Sequence, residues 1–177
     1  CNTVVSKCYS SAAVTVPANA ANNFVGGLIG FNRAESGSPV TALIEYSYST
    51  GNVSGCRAGG LVGYNYSYSH TGDGNVAKQI AAKITNCYSL SNVTASEAGG
   101  LVWCNETGRP RTSCELGYST IEYCYAAGLV NDGAGAGLVC NWPSHDANRL
   151  IRYSYYNSAN TGNMFGFPVS VDELRSQ

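Results

Sequence analysis

The sequence predicts an all-β fold: a right-handed parallel β-helix, or solenoid, of about five coils, with loop insertions and a short C-terminal capping helix. Three observations carry this. Two short motifs alternate along the chain, the residues following one of them repeat like for like on one face, and the composition suits short strands joined by tight turns.

The first motif is an apolar β-branched residue, two variable positions, Cys or Ser, then Tyr. It occurs as Val5-Ser6-Lys7-Cys8-Tyr9, Ile44-Glu45-Tyr46-Ser47-Tyr48, Ile84-Thr85-Asn86-Cys87-Tyr88, Ile121-Glu122-Tyr123-Cys124-Tyr125 and Ile151-Arg152-Tyr153-Ser154-Tyr155. Between its copies falls the second motif: Gly26-Gly27-Leu28-Ile29-Gly30-Phe31-Asn32, Gly59-Gly60-Leu61-Val62-Gly63-Tyr64-Asn65, Gly99-Gly100-Leu101-Val102-Trp103-Cys104-Asn105 and the shortened Gly137-Leu138-Val139-Cys140-Asn141. Strict alternation at a long period is the signature of a repeat architecture.

Counting by twos from the Cys/Ser position gives Cys8, Ser10, Ala12, Val14, then Ser47, Ser49, Gly51, Val53, then Cys87, Ser89, Ser91, Val93, then Cys124, Ala126, Gly128, Val130. Period two is the strand period, so this face is small and ends in Val in each copy, which implies stacking of like on like around a narrow interior. The leading apolar residue lies three positions before the Cys/Ser, an odd step. For both to point inward, a bend or bulge must fall between them.

The Gly pair before each Leu suits a tight corner that needs positive φ or close backbone approach, with Leu28, Leu61, Leu101 and Leu138 as inward plugs. Asn32, Asn65, Asn105 and Asn141 are expected to stack at a turn, their amides bonding to neighbouring coils. The stretches after each Asn, roughly 33–40, 66–83, 106–120 and 142–149, read as insertions on one side.

The chain has 8 cysteines. Cys8, Cys87 and Cys124 share a position with Ser47 and Ser154, and Cys104 and Cys140 share one with Phe31 and Tyr64, which favours buried, reduced thiols. Bridges from Cys87 to Cys124 and from Cys104 to Cys140 remain open, and Cys1, Cys56 and Cys114 are the expected exposed or bridged thiols. After Tyr155 the inward series fails, and Ser170-Val171-Asp172-Glu173 reads as a capping box opening a short helix over 171–175. The chain therefore divides into repeats over 1–160 and a cap over 161–177, one domain overall.

At these motifs the sequence resembles the GLUG-motif family, through Gly27-Leu28-Ile29-Gly30 and Gly60-Leu61-Val62-Gly63 and the tract from Ile44 through Gly51-Asn52-Val53-Ser54-Gly55. The likeness runs from Val5 to about Tyr155. Departures are Trp103-Cys104, where the family pattern has Gly-Tyr, and the shortened fourth motif. The resemblance implies a repeat module of a bacterial secreted or cell-surface protein, adhesin-like or accompanying an immunoglobulin A peptidase domain.

Formal net charge is -1 and charged residues are 12% of the chain, which offers little to nucleic acid or to an anionic membrane surface. A hydrophobic content of 44% suffices for a core and argues against disorder. No apolar run approaches the ~20 residues needed to span a bilayer, so membrane insertion is not expected. The start at Cys1 reads as a cut inside a longer surface protein, with a lipoprotein start as the other reading.

The chain carries no His-Glu-x-x-His, no Gly-x-Ser-x-Gly elbow and no phosphate-cradling Gly motif, and no cofactor or metal is expected. His70 and the pair His145-Asp146 read as solvated loop residues, and Asp73 as part of a Gly/Asp turn lacking further carboxylates at calcium-ligand spacing. The column Glu45, Thr85, Glu122, Arg152 offers one surface ion pair rather than a catalytic groove. The candidate ligand-binding residues are Tyr46, Tyr48, Tyr123, Tyr125, Tyr153 and Tyr155, with Tyr9 and Tyr88 on the same alternation. Outward, they form a strip able to meet a host or cell-surface glycan or protein; beneath the insertions, they form a second core. The expected function is a non-catalytic structural or adhesive module, a rigid spacer or binding stalk. The alternatives are a carbohydrate-active β-helix enzyme and an accessory module of a surface peptidase.

Overall fold

A computed structural model describes residues 2–17, 19–20, 23–70, 79–108, 117–131, 137–140, 149–160, 166–170 and 172–173. The first repeat supplies β1 (Thr3–Ser6), β2 (Tyr9–Ser10), β3 (Val14–Thr15), β4 (Phe24–Gly26) and β5 (Ile29–Ser36). The second supplies β6 (Val40–Glu45), β7 (Tyr48–Ser49), β8 (Val53–Gly59) and β9 (Val62–Ser69), and the third β10 (Ile80–Thr85), β11 (Tyr88–Ser89), β12 (Val93–Gly99) and β13 (Val102–Thr107). The fourth gives β14 (Tyr118–Glu122), β15 (Tyr125–Ala126) and β16 (Val130–Asn131); the fifth gives β17 (Arg149–Arg152) and β18 (Tyr155–Asn157), followed by β19 (Phe167–Val169).

These strands form four sheets, and every strand pairing among the described residues is parallel. The first sheet runs β1-β6-β10-β14-β17 and aligns Val5, Ile44, Ile84, Ile121 and Ile151. The second runs from β2 through β7, β11, β15 and β18 to β19 and aligns Tyr9, Tyr48, Tyr88, Tyr125 and Tyr155. The third joins β3 and β4 to β8, β12 and β16, aligning Val14, Val53, Val93 and Val130. The fourth, β5-β9-β13, aligns Asn32, Asn65 and Asn105. A one-residue slip in any sheet would turn its inward column to solvent, so the side-chain pattern itself holds the register.

The largest apolar cluster takes Ile44, Ile84 and Ile121 from the first sheet and Leu61, Leu101 and Leu138 from the Gly corners. All six are 0% exposed, each worth about 1.5–3 kcal/mol on the usual area scale. The interior narrows at the second sheet, where Ser49, Ser89 and Ala126 are fully buried. Tyr156 aligns with Ala126 and is 2% exposed, so a single large ring closes this column at its far end.

The bend required by the odd step is present. Lys7, Tyr46, Asn86, Tyr123 and Tyr153, each directly before the Cys/Ser, have φ of 55, 48, 51, 54 and 48°. This left-handed conformation costs an L-residue about 1–2 kcal/mol, and here it turns the chain from the first sheet into the second while both Ile44 and Ser47 stay buried. The Gly pairs do not have positive φ; among the described glycines only Gly166 does. Their role is close approach: a Cβ on Gly60 would meet the Gly100 carbonyl and the Ser89 side chain, and one on Gly99 the Val102 carbonyl.

The Asn column also differs from expectation. Asn32, Asn65 and Asn105 sit within strands and not at turns. Asn32 Nδ2 donates to Asn65 Oδ1 and Asn65 Nδ2 to Asn105 Oδ1, both at 2.7 Å. The same amides reach the carbonyls of Ala42, Ala82 and Ser119 at 3.2, 3.2 and 3.1 Å, tying the fourth sheet to the first through the interior. The strands also continue past these Asn residues to Ser36, Ser69 and Thr107, so the insertions are shorter than the sequence suggests.

Two further corrections concern the ends. Cys8 is exposed, because the strand it leads into, β2, lies at the sheet edge with no described repeat before it. The segment after 160 is not only a cap, since β19 extends the second sheet. The capping box itself forms: Ser170 N–H and Oγ reach Glu173 Oε2 at 2.7 and 2.8 Å, and Glu173 N–H returns to Ser170 Oγ at 3.2 Å. Of the expected helix, Asp172 and Glu173 are helical and the remainder lies outside the described residues. No helix among the described residues is long and apolar enough to cross a membrane.

Candidate functional site

The corner position explains why Cys and Ser exchange. Ser47 Oγ donates to the Glu45 carbonyl at 2.7 Å and Ser154 Oγ to that of Arg152 at 2.8 Å; Cys87 and Cys124 Sγ do the same to Thr85 and Glu122 at 3.1 Å. Each of these carbonyls also accepts a backbone N–H from the repeat before, those of Lys7, Tyr46, Asn86 and Tyr123 at 3.2–3.3 Å, so the side chain is its second donor across the left-handed residue. The side chain also accepts from the repeat before: Cys8 N–H reaches Ser47 Oγ at 3.1 Å and Cys124 N–H reaches Ser154 Oγ at 3.2 Å. A thiol and a hydroxyl both donate and accept, and a methyl does neither. Cys8, Cys56, Cys87 and Cys124 are free thiols; Cys87, Cys104 and Cys124 are buried, and Cys56 and Cys140 half-buried. Burial pushes the Cys124 thiol well above its ordinary range.

The same corner splits the six candidate tyrosines into two rows. Tyr46, Tyr123 and Tyr153 occupy the left-handed positions and are 56%, 56% and 57% exposed. Tyr123 and Tyr153 stack at 5.0 Å, while Asn86 stands in the column between Tyr46 and Tyr123. Tyr48, Tyr125 and Tyr155 lie in the second sheet and are half-buried. There Tyr9, Tyr48, Tyr88 and Tyr125 form one ladder, with centroids 5.3, 4.7 and 4.9 Å apart and planes within 10° of parallel. Tyr155 follows in register and tilts against Phe167 at 6.0 Å. Ladder rings spend their faces on one another and offer edges and hydroxyls outward, whereas the corner row keeps open ring surface. The sequence alternation places all six on one strip; the structure brings together three and three.

A further aromatic group was not legible as a site. Phe24 lies 5.7, 4.8 and 5.2 Å from the rings of Phe31, Tyr64 and Trp103. Arg57 sits 5.1 Å from the Trp103 ring, and Trp103 Nε1 donates to Glu97 at 3.0 Å. The phenol of Tyr64 donates to Glu106, and burial together with that bond raises its pKa. The only signal in the sequence is the aromatic residue before Asn32 and Asn65, because the remaining rings arrive from separate strands.

The charged residues pair locally. Arg152 lies 3.8 Å from Glu122 on the adjacent strand, the surface pair expected of that column. His70 Nε2 is 2.8 Å from Glu35, which also pairs with Arg33. Among the described residues no three His, Cys, Asp or Glu side chains are grouped as metal ligands. Asp73, His145-Asp146, Asn141, Cys1 and Cys114 lie outside the described residues. No protein-family model, curated protein or solved structure matches this chain.

Proposed function

We propose that this chain is a rigid, non-catalytic module of a bacterial secreted or cell-surface protein, a right-handed parallel β-solenoid of the GLUG-motif kind. It spaces its neighbours and contacts a cell-surface glycan through the exposed row Tyr46, Tyr123 and Tyr153. The observation that supports this reading is the in-register alignment of successive repeats in four parallel sheets, with Ile, Tyr, Val and Asn each in its own column. Right-handed connection is the rule for parallel crossovers. Repeats bonded to their neighbours in every sheet make a stiff body, suited to holding something at a distance and poorly suited to closing over a substrate. The corner phenols pair an open ring surface with a hydroxyl, the combination that meets the apolar faces and hydroxyls of sugars.

The test is a glycan array run beside a polysaccharide-cleavage panel, with wild type and a Tyr123→Ala, Tyr153→Ala variant. Expected are binding by wild type, loss in the double variant and no cleavage by either. Cleavage of any polymer replaces this reading with a carbohydrate-active β-helix enzyme. Binding that survives both substitutions removes the corner row from the account, and a blank array with capture of a purified surface protein makes the partner a protein.

A further inference from the structure

The two ends of the stack are built differently. At the carboxyl end Tyr156 fills the interior, and Asn side chains stand where a following strand would bond. Asn157 Nδ2 donates to the Ala127 carbonyl at 3.0 Å, Asn160 Nδ2 to that of Gly128 at 3.2 Å, and Asn160 Oδ1 accepts from Val130 N–H at 2.9 Å. At the amino end the columns stay open. Cys8 is exposed where Ser47, Cys87, Cys124 and Ser154 are 0–1% exposed, and Tyr9 is 65% exposed where Tyr48, Tyr88 and Tyr125 are half-buried. Val5, Val14 and Leu28 are half-buried where Ile44, Val53 and Leu61 are sealed.

The polar groups of this end have a direction. At Ser47, Ser154, Asn65 and Asn105 the side-chain oxygen accepts from the repeat before: Ser47 Oγ from Cys8 N–H at 3.1 Å, Ser154 Oγ from Cys124 N–H at 3.2 Å, and Asn65 and Asn105 Oδ1 from Asn32 and Asn65 Nδ2, both at 2.7 Å. Among the described residues no donor reaches Cys8 Sγ or Asn32 Oδ1. The amino face therefore presents acceptors at two positions where a preceding repeat would present donors. Two such faces meeting head to head would set acceptor against acceptor, and at the carboxyl end of a second copy Tyr156 fills the interior and the Asn157 and Asn160 amides are bonded within their own copy.

We propose that the amino-terminal face, made by the edges of β1, β2, β3 and β5 with Cys8, Tyr9, Leu28 and Asn32, docks one further repeat of this same kind in parallel register. The occupant is a polypeptide segment carrying the apolar-x-x-Cys/Ser-Tyr strands and a Gly-Gly-Leu strand ending in Asn. Its corner N–H bonds to Cys8 Sγ, its Asn amide bonds to Asn32 Oδ1, and its Tyr ring extends the ladder over Tyr9. The proposal rests on the stacked-repeat reading and is independent of the glycan ligand.

The test joins a second copy of residues 40–79 directly ahead of residue 1, which preserves register because Thr3 aligns with Ala42 and Ile80 with Val40. Cys8 labelling is then followed by peptide mapping in the native state, with Cys87 and Cys124 as internal markers of folding. Burial makes labelling depend on local opening, so Cys8 is expected to react at least about tenfold more slowly than in the parent. A Cys8 rate equal to the parent's, with Cys87 and Cys124 still protected, overturns the proposal. Should the fusion fail to fold, the parent chain with a peptide of residues 40–69 decides: saturable protection of Cys8 supports docking and unchanged labelling overturns it. A parent chain that sediments as a dimer with Cys8 protected also overturns it, by giving this face to a second copy.

Discussion

Cys124 is bound to Ser154 and to Glu122 at once: its backbone N–H donates to Ser154 Oγ at 3.2 Å and its thiol donates to the Glu122 carbonyl at 3.1 Å. The thiol is therefore a structural hydrogen-bonding group inside the stack. Cys124→Ser is expected to stay within about 1 kcal/mol of wild type, because Ser47 and Ser154 perform the same task two repeats away and one repeat on. Cys124→Val keeps the volume and removes one of the two donors to the Glu122 carbonyl, which retains Asn86 N–H at 3.2 Å, at a cost of about 0.5–1.5 kcal/mol. Urea unfolding of the two variants checks the order, and equal stability would dismiss the capping role.

The left-handed corner makes a separate demand on residue type. At Tyr46, φ is 48° and the side chain is largely exposed, so substitutions report the backbone more than the packing. Tyr46→Gly and Tyr46→Asn are expected within about 1 kcal/mol of wild type, while Tyr46→Val falls about 1–2 kcal/mol below, since a β-branched residue strongly resists this region. Denaturation midpoints that rank Val level with Gly would contradict the corner geometry.

Alkali should destabilise the fold. Burial raises the phenol pKa values of Tyr64, Tyr66, Tyr88 and Tyr125, with the bond to Glu106 adding to the effect at Tyr64. In the unfolded chain these groups titrate near pH ~10. Their folded pKa values lie higher, so this contribution is intact below pH ~10 and is lost as pH rises from there toward the folded values. Unfolding midpoints are expected to drop as pH rises above ~10, and Tyr64→Phe should flatten the decline. A midpoint that rises over this interval would show the opposite linkage.

Much of the fold is legible in the sequence because its columns are chemically uniform: Ile44, Ile84 and Ile121 are buried and aligned, and so are Leu61, Leu101 and Leu138. The odd step from Ile44 to Ser47 reveals the corner. It does not reveal that Tyr46, Lys7 and Asn86 bear the positive φ, since that strain is compensated by a hydrogen bond from the following side chain and leaves no mark in composition. Asn65 reads as a turn residue on propensity, and the opposing carbonyl of Ala82 together with the amides of Asn32 and Asn105 makes a buried strand position favourable for it. Cys8 repeats the pattern of Cys87 and still differs in exposure, because burial depends on a neighbouring repeat as well as on the residue. The tyrosines separate into two rows for the same reason as the corner, which rotates Tyr46 away from Tyr48.

The in-register pairing of repeats is tested most directly by nuclear Overhauser contacts in the isotopically labelled protein. Contacts are expected between the rings of Tyr48 and Tyr88, which stack at 4.7 Å, and between the side-chain amides of Asn65 and Asn105, joined at 2.7 Å, with those amide protons slow to exchange. Sharp Asn65 amide signals in fast exchange with water, and Tyr48 contacts only to residues near it in sequence, would contradict the stacking of repeats on which the proposed function depends.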